Sequence, residues 1–365
     1  MTLGRYAAPI LSCLALFASP GIAFAADTTC DEKTALGVER VVEIDTKDGP
    51  RRGHVQYKDI DFLEPGEVVL TFDDGPLAQT TPAVLEALAA HCTKAIFFMV
   101  GRMAVANPEM VRKVDALGHT VGYHTWSHKN LARQSASNAE REVELGLSAV
   151  TAALGKPIAP FFRYPYLSDS RTTTRHLEER NQGNFSIDVD SYDWRTRSRS
   201  AMHNNVLSQL DKSGKGIILF HDIQRVTASS LKELLDELKR RKYKVVHLVP
   251  KATAATVASY DEMAGKLLAK SQVTAAQKPM TTRSMVWPAT AGSSPDATVT
   301  RPDTPAKGAV VDPQGAQETR PAASSKRATQ PNSNSGNNSS RAAAARPAPP
   351  RQEPNLLELM FGPVN

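Results

Sequence analysis

The chain has 365 residues and a formal net charge of +6. From Lys266 to the C-terminus there are 12 Lys or Arg and 6 Asp or Glu, so subtracting them from the totals of 44 and 38 leaves 32 of each before Lys266. The positive excess therefore belongs to the last hundred residues, which also hold 13 of the 24 prolines. This composition excludes a coiled coil, a collagen, a multi-span membrane protein and a nucleic-acid-binding domain coated with Lys and Arg.

Residues 1–26 have the pattern of a secretory signal peptide. Arg5 precedes a mostly apolar run from Tyr6 to Phe24, and small residues suited to signal peptidase close the segment. A membrane anchor is the alternative, but Pro20 and Gly21 interrupt the run and no basic stop-transfer cluster follows it. We therefore expect an exported protein, periplasmic or extracellular, with no stable membrane span.

Two cysteines remain once the signal peptide and its Cys13 are removed. In an oxidising compartment, Cys30 and Cys92 are predicted to form a disulfide. Closing a loop of this length contributes on the order of 4 kcal/mol in the chain-entropy model. Two unpaired thiols are the alternative, and two cysteines alone do not make a zinc site.

An N-terminal extension, residues 27–66, precedes a segment, residues 67–250, in which short apolar runs alternate with helix-like stretches. Seven strands are predicted, at Val68–Phe72, Ala95–Val100, Thr120–Tyr123, Phe161–Tyr164, Phe185–Val189, Ile217–Phe220 and Val245–Leu248. Six helices are predicted between them, at Thr81–Ala90, Pro108–Leu117, Asn138–Leu154, Thr172–Asn181, Ala201–Leu210 and Ala228–Arg241. Repeated strand–helix units predict an α/β fold of parallel strands, as an open sheet or a barrel, with reactive side chains at the carboxyl ends of the strands.

The remainder of the chain divides into two predicted parts. Residues 251–270 form a C-terminal helix or linker. Residues 271–365 form a disordered basic tail rich in Pro, Ala and Ser, because this composition buries too little apolar surface to fold. The tail is interpreted as a solvated spacer or as a segment attracted to anionic envelope polymers.

The first strand of the repeating segment ends in Thr-Phe-Asp-Asp-Gly-Pro, residues 71–76. Because Gly75 and Pro76 break the strand, the carboxylates of Asp73 and Asp74 can both enter one cavity. Such a pair suits a division of labour in which one acid ligates a cation and the other accepts a proton. An ordinary turn is the alternative for this tetrapeptide alone.

The third strand leads into two histidines at a spacing of four residues. On a helical turn, His124 and His128 would lie on one face, an arrangement that many zinc sites use. A chance pair of surface histidines is the alternative. No Glu follows His124, so this is not the metalloprotease helix signature.

Further polar residues follow the fourth, fifth and sixth strands. Arg163 lies between Phe162 and Tyr164, and a buried Arg needs a carboxylate partner, for which Asp73 is the natural candidate. The fifth strand leads into Asp-Ser-Tyr-Asp-Trp, residues 190–194, and the sixth ends in His221. The shared position of all these groups at strand ends predicts one active site.

In this order, Thr-Phe-Asp-Asp-Gly-Pro, His-Thr-Trp-Ser-His, Arg-Tyr-Pro-Tyr, Asp-Ser-Tyr-Asp-Trp and Leu-Phe-His resemble the five motifs of the polysaccharide deacetylases with the NodB-homology domain, carbohydrate esterase family 4. The resemblance covers residues 67–250 and implies a distorted (β/α)7 barrel. It further implies metal-dependent hydrolysis of N-acetyl groups on N-acetylglucosamine units of a glycan, of chitooligosaccharide or peptidoglycan type.

The resemblance also implies roles for individual residues. Asp74, His124 and His128 would hold a divalent cation, with Zn²⁺ expected. Asp73 would be the base that activates water, oriented and kept ionised by Arg163. His221 would protonate the leaving amine, with Asp193 raising its basicity. The backbone N–H of Tyr166 would stabilise the oxyanion, and Trp194 and Leu219 would enclose the acetyl methyl group.

Two other functions are compatible with these motifs. One is an O-acetyl esterase on a cell-envelope glycan, because the same metal, base and acid serve ester hydrolysis. The other is a carbohydrate-binding protein that lost catalysis, although a binder has no use for both Asp73 and His221. Residues 27–265 have a net charge of −1, from 31 basic and 32 acidic side chains, so the body of the protein fits an uncharged glycan and no nucleic acid.

Overall fold

The computed structural model describes residues 30–31, 33–58 and 62–277. The predicted signal peptide and the tail from residue 278 onward lie outside the described residues. Ten strands are present in this part of the chain: β1 (Arg40–Ile44), β2 (Arg51–Arg52), β3 (Glu67–Asp73), β4 (Ile96–Met99), β5 (Thr120–Tyr123), β6 (Phe161–Phe162), β7 (Gly183–Phe185), β8 (Val189–Asp190), β9 (Gly216–His221) and β10 (Lys244–Pro250).

Eight α-helices accompany these strands in the described part of the chain. They are α1 (Thr81–Ala90), α2 (Gly101–Ala106), α3 (Pro108–Ala116), α4 (Ala136–Leu154), α5 (Arg171–Glu179), α6 (Arg199–Ser213), α7 (Arg225–Arg240) and α8 (Ala258–Gln277). Their first turns follow ordinary capping chemistry, since the hydroxyl groups of Ser135, Ser170 and Ser198 accept hydrogen bonds from the backbone of α4, α5 and α6.

The paired strands form a closed circuit in which every pairing is parallel. β9 pairs with β3, β3 with β4, β4 with β5, β5 with β6 and β6 with β7, while β8 pairs with β9. β7 and β8 belong to one run of chain, residues 183–190, so this run joins β6 to β9. The predicted α/β fold is confirmed. The ring is not a regular barrel, because β7 and β8 pair with different strands and not with each other.

The remaining strands lie beside this circuit. β10 pairs with β3 only through Val245 with Val68 and Lys244 with Glu67, and it pairs with β1 over five residues. β2 pairs with β7 at the other edge. β1 and β2 were not predicted from the sequence, because both belong to the short N-terminal extension, where apolar and polar residues do not alternate clearly.

Side chains of β3 alternate between two apolar clusters. Val68, Leu70 and Phe72 pack towards the helices, whereas Val69 packs with Phe98, Phe161 and Phe185 inside the ring of strands. Because side chains of a strand alternate in direction, Thr71 and Asp73 share the inner face with Val69. The strand is buried along its whole length, so its last residue delivers a carboxylate to the interior.

Several boundaries differ from the sequence prediction. The predicted strand Phe185–Val189 is broken at residues 186–188, because its two ends pair with different neighbours. The predicted strand Phe161–Tyr164 pairs only at its first two residues. The C-terminal helix α8 begins at residue 258 and continues beyond the predicted limit of 270, packing on α4 and α2.

The N-terminal extension is connected to the body by a cystine. Cys30 and Cys92 are paired, with their Cα atoms 5.7 Å apart, within the usual range for a disulfide. The bond joins the start of the described chain to the end of α1. Among the described residues, no helix combines the length and apolar character needed to cross a membrane.

Candidate active site

The guanidinium of Arg163 lies at the centre of the ring, fully buried. Its Nη1 donates to Asp73 Oδ1 at 2.7 Å and to Thr71 Oγ1 at 2.8 Å. Its Nε and Nη2 each donate to a backbone carbonyl at 3.1 Å, those of Phe185 and Ser186. A buried cation with these partners is held in one orientation, so the carboxylate of Asp73 is fixed as well.

Burial is the largest influence on the Asp73 carboxyl, and it raises the pKa to about 6, although Arg163 and His221 act in the opposite direction. The family resemblance implies that Arg163 keeps Asp73 ionised, and the guanidinium does lower the pKa of this carboxyl. The net result is a carboxyl that is mostly ionised at neutral pH yet basic enough to accept a proton, as a general base requires.

Asp74, His124 and His128 form the one group of metal-ligand type found among the described residues. All three are buried, and one potential ligand atom from each lies within 4.8 Å of the others. Asp74 Oδ1 is 3.1 Å from His128 Nε2 and 3.7 Å from His124 Nε2. The backbone of Asp74 is left-handed, with φ 74°, which turns its side chain out of the strand direction.

The two histidines do not lie on a helix, contrary to the expectation from their spacing. Residues 124–128 form an irregular turn after β5, in which Thr125 and His128 have φ of 65° and 60°. The imidazoles still meet, with ring centroids 4.9 Å apart. His124 Nδ1 is 2.7 Å from the carbonyl oxygen of Arg163, so it acts as the donor and leaves Nε2 as the ligand atom.

Glu142, on α4, supports this turn and was missed by the sequence analysis. Its Oε2 accepts from the backbone N–H of Ser127 at 2.8 Å, and its Oε1 accepts from the Ser127 hydroxyl at 2.7 Å. The backbone carbonyl of the same residue accepts from Trp126 N–H at 2.8 Å. Its separation of 15 residues from the turn left no local signal that could have found it.

His221 and Asp193 form a second catalytic-type pair. His221 Nδ1 is 2.7 Å from Asp193 Oδ1, and the other oxygen accepts from the His221 backbone N–H and from the Thr227 hydroxyl. Burial by itself lowers the pKa of His221, but Asp193, Asp74 and Asp73 together raise it to about 10. The imidazole is therefore protonated at neutral pH and can donate a proton.

The register of the sheet brings the two pairs together. Asp73 and His221 are direct neighbours on β3 and β9, and Leu219 is the neighbour of Thr71 two residues earlier. Leu219 is buried on this inner face. Acid, base and a small apolar wall therefore belong to one cavity at the carboxyl ends of the strands.

The predicted substrate-contacting residues after β6 and β8 are more open. The ring of Tyr166 meets the ring of His128 edge-on at 4.7 Å, and 42% of Tyr166 is exposed. Trp194 is 54% exposed and lies next to Asp193. Both aromatic groups are thus at the mouth of the cavity, where a ligand would meet them.

Asp222 is a further buried acid that the sequence analysis left without a role. Its Oδ2 accepts from the Thr81 hydroxyl at 2.5 Å, and burial raises its pKa to about 7. A Cβ added at Gly75 would lie 2.1 Å from Oδ2. The turn that follows Asp74 therefore packs directly on this carboxyl, and only glycine fits there.

Comparison with known proteins places the chain in a family. The profile described as Polysaccharide deacetylase matches residues 63–185. A chitooligosaccharide deacetylase of Azorhizobium caulinodans is 32% identical over 156 residues, which are 42% of this chain and 73% of that protein. The chain belongs to the polysaccharide deacetylase family. The resemblance seen in the five motifs is confirmed.

Other relatives of the family extend this comparison. A peptidoglycan-N-acetylglucosamine deacetylase of Listeria monocytogenes is 34% identical over 179 residues, which are 49% of this chain and only 37% of that protein. The solved structure of a peptidoglycan deacetylase of Bdellovibrio bacteriovorus superposes with a TM-score of 0.55 at 34% identity, covering 60% of this chain and 61% of that one. Asp193 and His221 lie beyond the matched profile, and the fold brings them to the same site.

Proposed function

We propose that this polysaccharide deacetylase family member is a secreted, metal-dependent hydrolase that removes N-acetyl groups from N-acetylglucosamine units of a glycan. The observation that carries the proposal is that two hydrogen-bonded pairs, Asp73 with Arg163 and His221 with Asp193, lie at directly neighbouring positions of β3 and β9. Asp73, held by Arg163, is a carboxylate poised to accept a proton, and His221, held by Asp193, is an imidazolium poised to donate one. Such a pair suits amide hydrolysis, since an amine leaves as the protonated species.

The residues present fit a divalent cation. Asp74 Oδ1 is buried and, although His128 Nε2 lies 3.1 Å away, no described group donates a hydrogen bond to it. A buried acceptor left in this way is costly unless a cation binds to it. Two imidazoles and one carboxylate form a donor set that zinc favours, with room for further ligands. When bound, Zn²⁺ would polarise the acetyl carbonyl and favour ionisation of water.

The chain's own groups would carry the protons. Asp73 Oδ2 would accept the proton of the attacking water, while Oδ1 remains hydrogen-bonded to Arg163. His221 would donate its Nε2 proton to the amide nitrogen as the C–N bond breaks, while Nδ1 remains bound to Asp193. Acetate and the free amino sugar are then the products.

Three residues would position the acetyl group. The backbone N–H of Tyr166 would donate to the oxygen that becomes negative, as in other oxyanion sites. Leu219 and Trp194 would enclose the methyl group, since the first is buried on the inner face and the second lies at the mouth. Export by the signal peptide would place this chemistry in the periplasm or outside the cell.

Acetate release from the purified protein tests the proposal. N-acetylated oligosaccharides of chitin type, peptidoglycan fragments and acetylated xylan should be compared under identical conditions. Release from the first two, lost on chelation and restored by Zn²⁺, is the expected result. Release from acetylated xylan alone would indicate an O-acetyl esterase, and activity indifferent to chelators would contradict the metal site.

A further inference from the structure

The segment that follows β8 carries an unusual charge. Residues 191–199 contain Arg195, Arg197 and Arg199 but only one acid, Asp193. Arg199 lies 3.6 Å from Glu233 of α7, so Arg195 and Arg197 are the cations of this segment that have no ion-pair partner among the described residues. Both oxygens of that acid are occupied inside the protein, by His221 and Thr227. The segment therefore presents positive charge to solvent beside the proposed proton donor.

Arg195 is the residue of this segment whose side chain is held by aromatic contacts. Its guanidinium lies over the Trp194 ring at 5.3 Å and over the Tyr192 ring at 5.7 Å. All three side chains are exposed. Among the described residues, no carboxylate lies within ion-pair distance of Arg195 or Arg197. The stacking fixes a cation on an aromatic platform without neutralising it.

Neighbouring loops at the same edge add to this charge. Arg133 follows the histidine turn after β5, and Arg225 begins α7 just after His221. Lys129, in the same turn, lies 4.0 Å from Glu142 and is partly neutralised by it. Asp169 is the one exposed acid in the loops that follow β3, β4, β5, β6, β8 and β9. Residues 27–265 as a whole have a net charge of −1. In these loops and at the first residue of α7, the cations Arg133, Arg195, Arg197 and Arg225 thus outnumber the exposed acids.

We infer that the mouth of this cavity recognises a glycan that carries carboxylate groups next to the N-acetylated sugar. The inference rests on the proposed deacetylase function and narrows its substrate class. An Arg fork matches a carboxylate with two hydrogen bonds, and aromatic faces pack against the apolar face of a sugar ring. Tyr192, Trp194 and Arg195 offer both groups side by side. A field of one sign around a cleft also raises the encounter rate of oppositely charged ligands.

The test compares glycans that differ only in charge. One is an oligosaccharide in which N-acetylglucosamine alternates with a sugar bearing a lactyl carboxylate, and its partner is the same compound with that carboxylate amidated. A uronic-acid oligosaccharide containing N-acetylglucosamine and a neutral N-acetylglucosamine oligomer complete the panel. The measured quantity is kcat/KM for acetate release.

We expect kcat/KM to be at least about tenfold higher for a carboxylate-bearing glycan than for its amidated form, a preference that shrinks as salt is raised. The ratio of kcat/KM between the lactyl and the uronic substrates identifies which kind of carboxylate is recognised. Equal values for free and amidated forms, with no salt dependence, would overturn the inference. No acetate from any glycan would instead contradict the proposed deacetylase function itself.

Substitutions test whether Arg195 and Arg197 cause the preference for carboxylate-bearing glycans. Arg195→Gln combined with Arg197→Gln should lower kcat/KM for the carboxylate-bearing glycan by about tenfold, mainly through KM, and change that for the neutral oligomer less than twofold. Arg240→Gln is the matched control, because this exposed arginine lies at the end of α7 and pairs with Glu237. An equal loss on charged and neutral glycans, or the same loss in the control, would refute recognition by this segment. The salt dependence of the unmodified protein tests the inference independently of any variant.

Discussion

Buried histidines at two places in the barrel have pKa values shifted in opposite directions. At the carboxyl ends of the strands, Asp193 and its neighbouring carboxylates hold the pKa of His221 at about 10 against the effect of burial. Near the start of β5 and within β10, burial and the charge of Lys94 lower the pKa of His119 to about 3 and that of His247 to about 4.

The partners of these histidines explain the contrast. His119 Nδ1 accepts from the backbone N–H of Ala95 at 3.2 Å, and His247 Nε2 is 2.9 Å from the hydroxyl of Thr120. Neither contact supplies negative charge. A buried histidine thus supports the fold when its partners are neutral and becomes a proton donor when a carboxylate is built beside it.

The largest expected effect comes from removing the proposed base. Asp73→Asn should lower acetate release by about 10²–10⁴-fold, since the amide cannot accept the proton of water. The rate with a chitin-type oligosaccharide and the Zn²⁺ affinity should both be measured. Affinity should persist because Asp74 and the histidines remain, and a rate within about tenfold of the unmodified protein would show that Asp73 is not the base.

Asp193→Asn should lower the pKa of His221 towards the low values of the core histidines His119 and His247. The imidazolium loses its closest negative partner, so the pKa of His221 falls. Activity that needs the protonated ring is lost as pH rises through this pKa, and the alkaline limb of the pH–rate profile should therefore move to lower pH. We expect a loss of about a hundredfold at pH 8, within the range typical of general acid catalysis. An unchanged alkaline limb would exclude His221 as the titrating acid.

The core histidines should make the protein sensitive to acid. The pKa of His119 is about 6.5 when unfolded and about 3 when folded, so only the unfolded state takes up a proton between these values. The contribution of His119 to the free energy of unfolding is therefore fully present above pH 6.5. It declines as pH falls towards 3, by on the order of 2 kcal/mol at pH 5.

The acid sensitivity can be measured as the fall in thermal midpoint between pH 7 and pH 5. His119→Gln should reduce that fall, because glutamine does not titrate and its oxygen can still accept from Ala95. Leu267→Met, in α8, exchanges two side chains that do not titrate and serves as the control. The same acid sensitivity in His119→Gln as in the unmodified protein would contradict the assignment.

The smallest effect concerns Glu142, which supports the turn that carries His124 and His128. In Glu142→Gln, one of the two oxygens that hold Ser127 becomes an amide nitrogen, so one donor loses its acceptor. Loss of such support around a metal ligand typically costs 10–100-fold, and we expect about tenfold in Zn²⁺ affinity by competition titration. Glu140→Gln, exposed on the same helix, should have no effect. Equal affinities for the two variants would indicate that the turn is held by its backbone alone.

The sequence by itself determined most of the repeating elements. Thr81–Ala90 and Thr120–Tyr123 have the predicted bounds, because each depends on local signals such as apolar spacing and Pro at the start of a helix. It also determined which motif residues meet, since parallel strands bring their carboxyl ends to one edge. The strand at residues 185–189 was less predictable, because its break reflects a change of partner strand.

Only the tertiary structure decided how these groups behave. The pairing of Arg163 with Asp73 across 90 residues was already suggested by the sequence, whereas the packing of Asp222 on Gly75 from a different strand had no local signal. Burial and the sum of nearby charges set the pKa of Asp73 and His221, and neither quantity can be obtained from neighbours in the chain. The net charge of the body suggested an uncharged glycan, whereas the fold places Arg195 and Arg197 beside Trp194 at the mouth of the cavity. Composition records how many charges there are, and the fold determines where they lie.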